Sequence, residues 1–259
     1  MTRLHHPSHV AAPLVGSALF LLVWEAVVRI GDVRPFVMRA PSQILAYLGR
    51  APGDFLAASW TTAWHAVVGF LVAAALAVPI GAALAASPWL ERASQPVLVL
   101  IQVTPFAAYI SSVVLWLGYG APPVLFIATL VCLPPFVIAT VAGMRSADPA
   151  TRELLASVDA SPREVLWRLR LPAALPSVFT AARYSIGLAL IVAYLVEGSN
   201  FADEGLGAIG RRAAANNAAD PLWATIFCAA LLGTLGLLGI AALERVVLRW
   251  HVSQRRLLP

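Results

Sequence analysis

The sequence predicts an all-α, polytopic helical membrane protein with about six membrane-spanning helices. Hydrophobic residues make up 60% of the 259-residue chain and charged residues only 12%, whereas a typical soluble domain has roughly 25% charged residues. The apolar residues come in runs of about 20, which is the length that an α-helix needs to cross the hydrocarbon core of a bilayer. No linker divides the chain, so we expect one membrane domain.

Six candidate spans follow one another within a membrane domain at 11–250, between short tails at 1–10 and 251–259. The candidate spans are Ala11–Ile30, Trp64–Ala86, Pro96–Leu117, Val124–Gly143, Ser177–Val196 and Leu222–Leu243. No small-residue cleavage signal follows the first span, which favours an uncleaved helix over a signal peptide. Near the end of this span, Glu25 lies four residues before Arg29, a spacing that predicts an interfacial ion pair.

Arginine, the only strongly basic residue type in the chain, predicts how the spans are oriented. With the N-terminus inside, twelve arginines fall in the inner segments and six in the outer segments. Basic residues concentrate on the cytoplasmic side of membrane proteins, so we expect both termini in the cytoplasm. The net charge of +5 therefore follows from topology and does not indicate a nucleic-acid partner.

Several classes of function lack their characteristic residues here. Cys132 and Cys228 lie in apolar runs, which favours buried thiols over a disulfide or a metal site. Neither HExxH nor GxSxG occurs, so we expect no metal, cofactor or catalytic site. There is no G-x(4)-G-K-[ST] phosphate loop either, so any ATP hydrolysis must reside in a separate subunit. A secondary carrier, which needs a mid-span ionisable pair, and a membrane-embedded enzyme are the alternatives to a channel-forming subunit.

Prolines and glycines interrupt several of the predicted spans. Pro79 lies in the second span, Pro105 in the third, and Pro134 and Pro135 in the fourth. Such breaks are tolerated in a membrane where neighbouring helices or a cavity satisfy the freed backbone groups. They suit a transport pathway, although they also occur in helical membrane proteins of other kinds.

The longest polar segment, residues 148–172, predicts two short helices joined by a tight turn. Asp148 is a favourable N-cap and Pro149 suits the first helical position, so a helix is expected to run from there to about Val158. Asp159 follows as the turn residue, because aspartate is among the few residues that tolerate a left-handed backbone.

A second helix is expected to begin directly after this turn. Ser161, Pro162 and Glu164 have the spacing of a capping box with proline at the first helical position. Pro172 disfavours helical geometry at the residue before it, so the second helix is predicted to end near Arg170.

Each of the two predicted helices carries one apolar stripe. The stripes consist of Leu154, Leu155 and Val158 on the first helix and Val165, Leu166 and Leu169 on the second. One interpretation is that both stripes pack on the ends of the membrane spans. The other is that this segment presents a helix to a groove on a soluble partner.

Segment 148–172 resembles the cytoplasmic signature E-A-A-x(3)-G-x(9)-I-x-L-P of binding-protein-dependent ABC importer permeases. Glu153 matches the glutamate, Asp159 stands at the glycine position, and residues 169–172, Leu-Arg-Leu-Pro, match the final element. The chain departs from the signature where Leu154 and Leu155 replace the two alanines.

Elements along the rest of the chain resemble the nitrate/sulfonate/taurine-type branch of that family. These elements include Ala40-Pro41-Ser42, Gly69-Phe70, Pro79-Ile80-Gly81, Trp116-Leu117-Gly118-Tyr119-Gly120, Pro172-Ala173-Ala174-Leu175-Pro176, Glu197 with Gly205-Leu206-Gly207, and Glu244 with Trp250. The chain departs from the family pattern at His65 and Gln102, where arginine is frequent. These departures weigh against a strongly anion-lined path.

The resemblance implies the type I ABC importer permease fold with a cytoplasmic coupling helix, in a multi-pass protein of a bacterial inner membrane. It implies a protein embedded in the lipid bilayer with three protein partners. These are an ABC ATPase on the cytoplasmic face, a solute-binding protein on the extracytoplasmic face and a second, usually identical, permease copy within the bilayer. The cargo would be a small polar nutrient such as a sulfonate, taurine or nitrate, or alternatively a thiamine precursor or a riboflavin-like compound.

The resemblance also implies roles for particular residues. The residues expected to couple to the ATPase are Glu153, Asp159, Val165, Leu166 and Leu169, with Leu171 and Pro172 fixing the exit into the fifth span. The residues expected to face the path are Gln102, Tyr194 and Glu197. For Glu197, a structural role as an interfacial carboxylate is an equal alternative.

Overall fold

The computed structural model describes residues 8–199 and 201–249, and within these ranges it is built from α-helices and short connections without β-strands. The predicted tail at 251–259 and the first seven residues of the tail at 1–10 lie outside the described residues. The helices are α1 (Ser8–Ile30), α2 (Pro41–Leu48), α3 (Pro52–Ala86), α4 (Pro88–Val103), α5 (Ile110–Leu117), α6 (Ala121–Arg145), α7 (Pro149–Ser157), α8 (Pro162–Val165), α9 (Leu171–Glu197), α10 (Leu206–Ala215) and α11 (Ala219–Val247).

Among the described residues, five helices are long and apolar enough to cross a membrane, and a sixth span results if the bent pair α4–α5 is counted as one. This confirms the all-α class and the expected six spans. Five of the predicted spans correspond to α1, α3, α6, α9 and α11. The second begins earlier than predicted, because α3 starts at Pro52 rather than at Trp64. Its 35 residues extend about 52 Å, well beyond a hydrocarbon core of about 30 Å.

The predicted third span, Pro96–Leu117, is not one continuous helix. Helix α4 ends at Val103, a short 3₁₀ turn occupies Phe106–Tyr109, and the two halves of the pair are bent by 86°. Thr104 has extended backbone angles (φ −74°, ψ 121°), as expected for a residue whose helical geometry is blocked by the following Pro105. Residues 88–117 therefore form a bent pair of helices rather than one straight span.

The predicted helix end near Arg170 is wrong, because the helix continues from Pro162 to Glu197. Residues 166–170 form a π-helical turn in which the Leu171 N–H donates to the carbonyl of Leu166, five residues earlier. Leu171 itself has helical angles (φ −64°, ψ −49°). The wider turn accommodates the Pro172 ring within the helix, since π-bulges relax the regular i→i+4 ladder.

Helices α3, α6 and α9 form the core of the molecule, and small residues let them approach closely. A Cβ atom added to Gly69 on α3 would lie 2.6 Å from the Ala128 side chain on α6. One added to Gly143 on α6 would lie 2.6 Å from the Cα of Ala174 on α9. Close contact between small residues is the usual basis of helix packing in membranes. In contrast, α1 and α11 leave most of their apolar surface exposed, as expected of lipid-facing helices.

Polar contacts join the peripheral helices to their neighbours. The predicted ion pair between Glu25 and Arg29 is present, and both side chains also bond to Ser42 on α2: its Oγ donates to Glu25 over 2.6 Å and accepts from Arg29 over 2.8 Å. Arg183 on α9 pairs with Glu244 on α11 at 2.5 Å. These contacts hold α1 against α2 and α9 against α11.

Candidate functional site

Segment 148–172 connects α6 to α9 and lies at one end of the helix bundle, which we call the loop end. Its first helix is capped as predicted: Oδ2 of Asp148 accepts hydrogen bonds from the Thr151 hydroxyl (2.6 Å) and the Thr151 N–H (3.0 Å). These bonds hold the pKa of the Asp148 carboxyl below its usual value, with the Thr151 hydroxyl as the largest cause. The start of α7 is therefore fixed by an ionised carboxylate.

The turn between α7 and α8 adopts the predicted left-handed geometry. Asp159 has a φ of +52°, in a region that aspartate tolerates better than most residues. The Ala160 N–H donates to the carbonyl of Leu155 over 3.0 Å, which closes the end of α7. The turn thus sets the angle between the two helices through a single residue.

The predicted capping box begins α8. The Ser161 N–H donates to Oε2 of Glu164 over 3.0 Å, while the Glu164 N–H donates to Oγ of Ser161 over 3.3 Å. Both bonds lie within one helical turn. The start of the long helix is therefore fixed locally, independently of any partner.

The two apolar stripes have different environments, and the second one packs on the ends of the membrane spans. Leu154 on α7 and Val158, the C-cap residue of α7, are 64% and 67% exposed. On the second helix Val165 and Leu166 are half-buried and Leu169 is buried against the bundle. Leu155, the third member of the first stripe, is half-buried, so that stripe is exposed at Leu154 and Val158.

The residues predicted to couple to an ATPase accordingly divide into two groups. Glu153 and Asp159 are exposed at the loop end. The other five are half-buried or buried within the chain itself: Val165, Leu166, Leu169, Leu171 and Pro172. This second group lies in or beside the π-helical turn.

The opposite end of the bundle, which we call the far end, holds a buried polar cluster centred on Glu197. The Glu197 side chain is fully buried. Its Oε2 accepts from the Thr62 hydroxyl (2.6 Å) and from the Gly207 N–H (3.3 Å), and its Oε1 lies 2.8 Å from Nδ1 of His65. The Leu206 N–H in turn donates to Thr62 Oγ1 over 2.8 Å. The cluster joins α3, α9 and α10.

Two glycines make this arrangement possible. Gly205 has a φ of +93°, and a side chain there would overlap the Glu197 carboxylate. A side chain at Gly207 would overlap the carbonyl oxygen of Tyr194 and lie 2.7 Å from the Gly198 nitrogen. The Gly205-Leu206-Gly207 element is therefore shaped around the end of α9.

A cavity of about 880 Å³ lies between the α4–α5 break, α6 and α9. Its lining residues are Ile101, Gln102, Val103, Thr104, Pro105, Phe106, Val131, Pro135, Ile138, Ala139, Ala142, Ser177, Thr180, Ala181, Tyr184 and Leu188. None of these side chains is acidic or basic, and the polar groups among them are one amide and several hydroxyls. The cavity can accept a polar solute without placing it beside a fixed charge.

The three residues predicted to face the path lie in different places. Gln102 lines the 880 Å³ cavity. Tyr194 is half-buried and its hydroxyl lies 3.0 Å from Oγ1 of Thr225 on α11. Glu197 is enclosed in the far-end cluster. The structure brings Tyr194 and Glu197 to the same end of α9 and leaves Gln102 apart from them.

Sequence reasoning missed Thr62 and the partnership of His65 with Glu197. The two residues are three positions apart, which places them on one face of α3, but the predicted span began only at Trp64. If the helix had been predicted to extend back to Pro52, Thr62 and His65 would have been placed on one face of it.

Among the described residues no group of three or more His, Cys, Asp or Glu side chains is placed to hold a metal ion.

Comparisons with known proteins agree with this architecture. The family described as binding-protein-dependent transport system inner membrane component matches residues 75–249. The riboflavin transport system permease protein RibX of Chloroflexus aurantiacus is 31% identical over 91% of this chain and 88% of its own. The taurine transport system permease protein TauC of Escherichia coli K12 is 29% identical over 90% of this chain and 87% of its own.

Two further comparisons concern a third transport system and the fold. The formylaminopyrimidine transport permease protein ThiX of Halalkalibacterium halodurans is 29% identical over 93% of this chain and 96% of its own. A solved inward-facing structure of the MetNI methionine ABC transporter matches with a TM-score of 0.66 and 18% identity, covering 75% of this chain and 96% of that one. The chain thus belongs to the inner-membrane components of binding-protein-dependent transport systems, the permease subunits of ABC importers.

Proposed function

We propose that this permease receives the work of ATP hydrolysis through segment 148–172, from a separate ABC ATPase in the cytoplasm. The observation that carries the proposal is the exposed apolar stripe of α7. Leu154 lies on a short helix and Val158 is its C-cap residue, and both ends of this helix are fixed by local hydrogen bonds. A rigid helix with an unpaired apolar face fits a groove on a soluble partner.

The exposed and buried residues of the segment would divide the task of coupling. Glu153 and Asp159, beside the exposed stripe, would contact the ATPase. The half-buried and buried residues would pass its movement on: Val165, Leu166, Leu169, Leu171 and Pro172. Because the helix is continuous from Pro162 to Glu197, a movement of its first turn is transmitted directly to the membrane-spanning part.

The arginine distribution supports a cytoplasmic loop end with both termini on the same side. The far end would then face outward, where an extracytoplasmic solute-binding protein delivers the cargo. Arg145, at the end of α6, pairs with Glu91 on α4 at 2.5 Å. This ion pair joins α6 to α4 near the loop end.

A second copy of the chain would complete the transport path. Gln102, Thr180 and Tyr184 line the 880 Å³ cavity and are exposed on the surface of a single chain. In a homodimer, two such cavities that face each other would enclose a polar passage inside the bilayer. Gln102 would line this passage directly, and Tyr194 and Glu197 would act at its far end.

The cargo we propose is a small polar nutrient such as a sulfonate, taurine or nitrate. A thiamine precursor or a riboflavin-like compound is the second candidate, and the absence of any acidic or basic side chain from the cavity lining favours it. An anion inside a bilayer needs a compensating charge more than a neutral heterocycle does. A thermal-shift screen of the partner binding protein with taurine, nitrate, riboflavin and formylaminopyrimidine would separate the two classes.

Co-purification with the ATPase tests the proposed function. Leu154→Asp should abolish recovery of the ATPase with the permease, since the stripe would lose its apolar centre. Leu56→Asp is the matched control, because Leu56 is 74% exposed but lies at the far end. Glu153→Arg should retain the complex and lower transport-coupled ATP hydrolysis. Equal ATPase recovery with Leu154→Asp and Leu56→Asp would contradict the proposed contact.

A further inference from the structure

The 880 Å³ cavity is bordered by two helix segments whose backbone carbonyls lack their usual donors. The first segment is the middle of α6, at Pro134 and Pro135, and the second is the C-terminal end of α4. Ala142 and Ser177, which also line the cavity, lie close to the end of α6 and the start of α9, so the cavity lies near the loop end. Backbone carbonyls without a donor inside the chain are free to bond to a solute.

The two adjacent prolines of α6 each free one carbonyl. Proline has no N–H, so the carbonyl four residues before it loses its helical donor. Pro135 frees the carbonyl of Val131, and Pro134 frees that of Leu130. Val131 and Pro135 both line the cavity, whereas Leu130 and Pro134 do not. Because residues four positions apart share one face of a helix, the Val131 carbonyl lies on the cavity side of α6.

The C-terminal end of α4 adds further acceptors to the same cavity. The carbonyl of Leu100 accepts from both the N–H (3.1 Å) and the hydroxyl (2.7 Å) of Thr104. The last three carbonyls of the helix have no intrahelical donor, and Pro105 has no N–H to offer the first of them. These three carbonyls belong to cavity-lining residues, namely Ile101, Gln102 and Val103. A helix C-terminus also carries a partial negative charge of about half an elementary charge.

Two hydroxyls in the cavity wall already donate their protons to the chain itself. Thr104 donates within α4, as described, and Thr180 donates to the carbonyl of Pro176 over 3.0 Å. The oxygen of such a hydroxyl still accepts through its lone pairs, so these two groups add acceptors to the wall rather than donors. The remaining polar side chains of the wall are Gln102, Ser177 and Tyr184. Hydrogen-bond acceptors therefore predominate over donors around the cavity.

We propose that this cavity takes the N–H-bearing part of the cargo, which is an ammonium, amino or imide group. The proposal rests on the transport function proposed above and narrows its class of cargo. An N–H group donates to the unpaired carbonyls and is favoured at the negative end of α4. An oxyanion such as nitrate would be desolvated among acceptors with few donors to replace its water. Taurine, with its ammonium group, and riboflavin, with its imide N–H, have the required chemistry, and nitrate does not.

Two thiol reagents of matched length and opposite charge measure this preference. Aminoethyl methanethiosulfonate carries an ammonium group, and sulfonatoethyl methanethiosulfonate carries a sulfonate. Ala139 lines the cavity one turn after Pro135, so Ala139→Cys reports on the wall beside the Val131 carbonyl. In phosphatidylcholine nanodiscs, the ratio of the ammonium to the sulfonate labelling rate should be about tenfold higher for Ala139→Cys than for mercaptoethanol in the same buffer. The chain without a new cysteine corrects for Cys132 and Cys228.

The two prolines of α6 supply a matched pair of variants for this measurement. Pro135→Ala restores an N–H that bonds to the Val131 carbonyl and withdraws this acceptor from the cavity, so the ratio should fall about threefold. Pro134→Ala restores an N–H to the Leu130 carbonyl, which lies outside the wall, and should leave the ratio unchanged. A ratio for Ala139→Cys at or below the solution value, or equal ratios in the two proline variants, would overturn the proposal.

Thr180 provides a second comparison if Pro135→Ala does not give a folded protein. Thr180→Val removes the hydroxyl oxygen from the wall and keeps the shape of the side chain, while Thr180→Ser retains the oxygen. The ratio at Ala139→Cys should fall in the valine variant alone. Equal ratios in the valine and serine variants would overturn the proposal in the same way.

Labelling requires neither the ATPase nor the cargo, so its outcome is independent of the co-purification experiment. A permease that fails to recover the ATPase and yet shows the raised ratio would retain the cavity's preference and contradict the proposed coupling. ATPase recovery together with a ratio equal to the solution value would support the coupling and contradict the preference for N–H groups.

Discussion

The loop end and the far end of this permease use the same chemistry at very different separations along the chain. At the loop end, Asp148 accepts from the hydroxyl and the N–H of Thr151, three residues away, on an exposed surface. At the far end, Glu197 accepts from the hydroxyl of Thr62, 135 residues away, in a fully buried site. A carboxylate anchored by a threonine thus appears once as a local cap and once as a bond between distant segments.

This difference indicates how each end responds to force. Exposed hydrogen bonds exchange with water at little net cost, whereas a buried carboxylate that loses a donor keeps its full desolvation penalty. The capped loop end can therefore move as a preformed unit. Separating the groups of the far-end cluster would cost more, because the buried carboxylate would lose its donors.

The largest expected effect comes from Gly207→Ala. A side chain at this position overlaps the Tyr194 carbonyl oxygen, and overpacking of this kind costs about 1–3 kcal/mol. We expect the apparent melting temperature of the detergent-solubilised protein to fall by roughly 5 °C or more. Gly187→Ala in α9 is the matched control, because nothing lies within 4 Å of the added atom and alanine is the better helix former. A similar fall in melting temperature in both variants would contradict the claim that the backbone is more tightly packed at residue 207 than at residue 187.

An intermediate effect is expected from Asp159→Pro at the loop end. Proline fixes φ near −65°, which is incompatible with the +52° observed at Asp159, so the angle between α7 and α8 must change. Transport-coupled ATP hydrolysis should fall roughly tenfold, the effect of about 1.4 kcal/mol, while insertion into the membrane stays intact. Asp159→Gly adopts the same turn without strain and should preserve coupling. Unchanged coupling in the proline variant would contradict the role of this turn.

The comparison between the two ends also explains what the sequence could predict. The cap at Asp148 and the capping box at Ser161 depend on residues three positions apart, so their spacing alone identifies them. The left-handed turn at Asp159 depends on one residue. Hydropathy located the spans because each needs a long apolar run.

Features that depend on distant parts of the chain were beyond such reasoning. The pairing of Glu197 with Thr62 and His65 joins residues more than 130 positions apart, and no spacing indicates it. The π-helical turn before Pro172 overrides a local rule, because the buried Leu169 and the close packing of Gly143 on Ala174 favour a continuous helix. The exposure of one apolar stripe and the burial of the other likewise follow from how the bundle packs.

The smallest expected effect is a dependence of the α7 cap on pH. The pKa of Asp148 is held below its usual value, so the cap stabilises α7 fully above the unfolded pKa of about 4. Its contribution is lost as the pH falls through the lower pKa of the folded state. Hydrogen exchange of the Thr151 amide, corrected for its intrinsic rate, should show constant protection from pH 7 to about pH 5 and reduced protection below about pH 4.

Asp148→Asn is the matched control for this pH dependence. Asparagine accepts the same hydrogen bond at an N-cap but does not titrate, so protection of Thr151 should become independent of pH over the same range. Far-end amides such as that of Leu206, which donates to the buried Thr62 hydroxyl, serve as an internal reference. Loss of Thr151 protection at low pH in the asparagine variant as well would mean that α7 depends on packing against its neighbours rather than on its local cap.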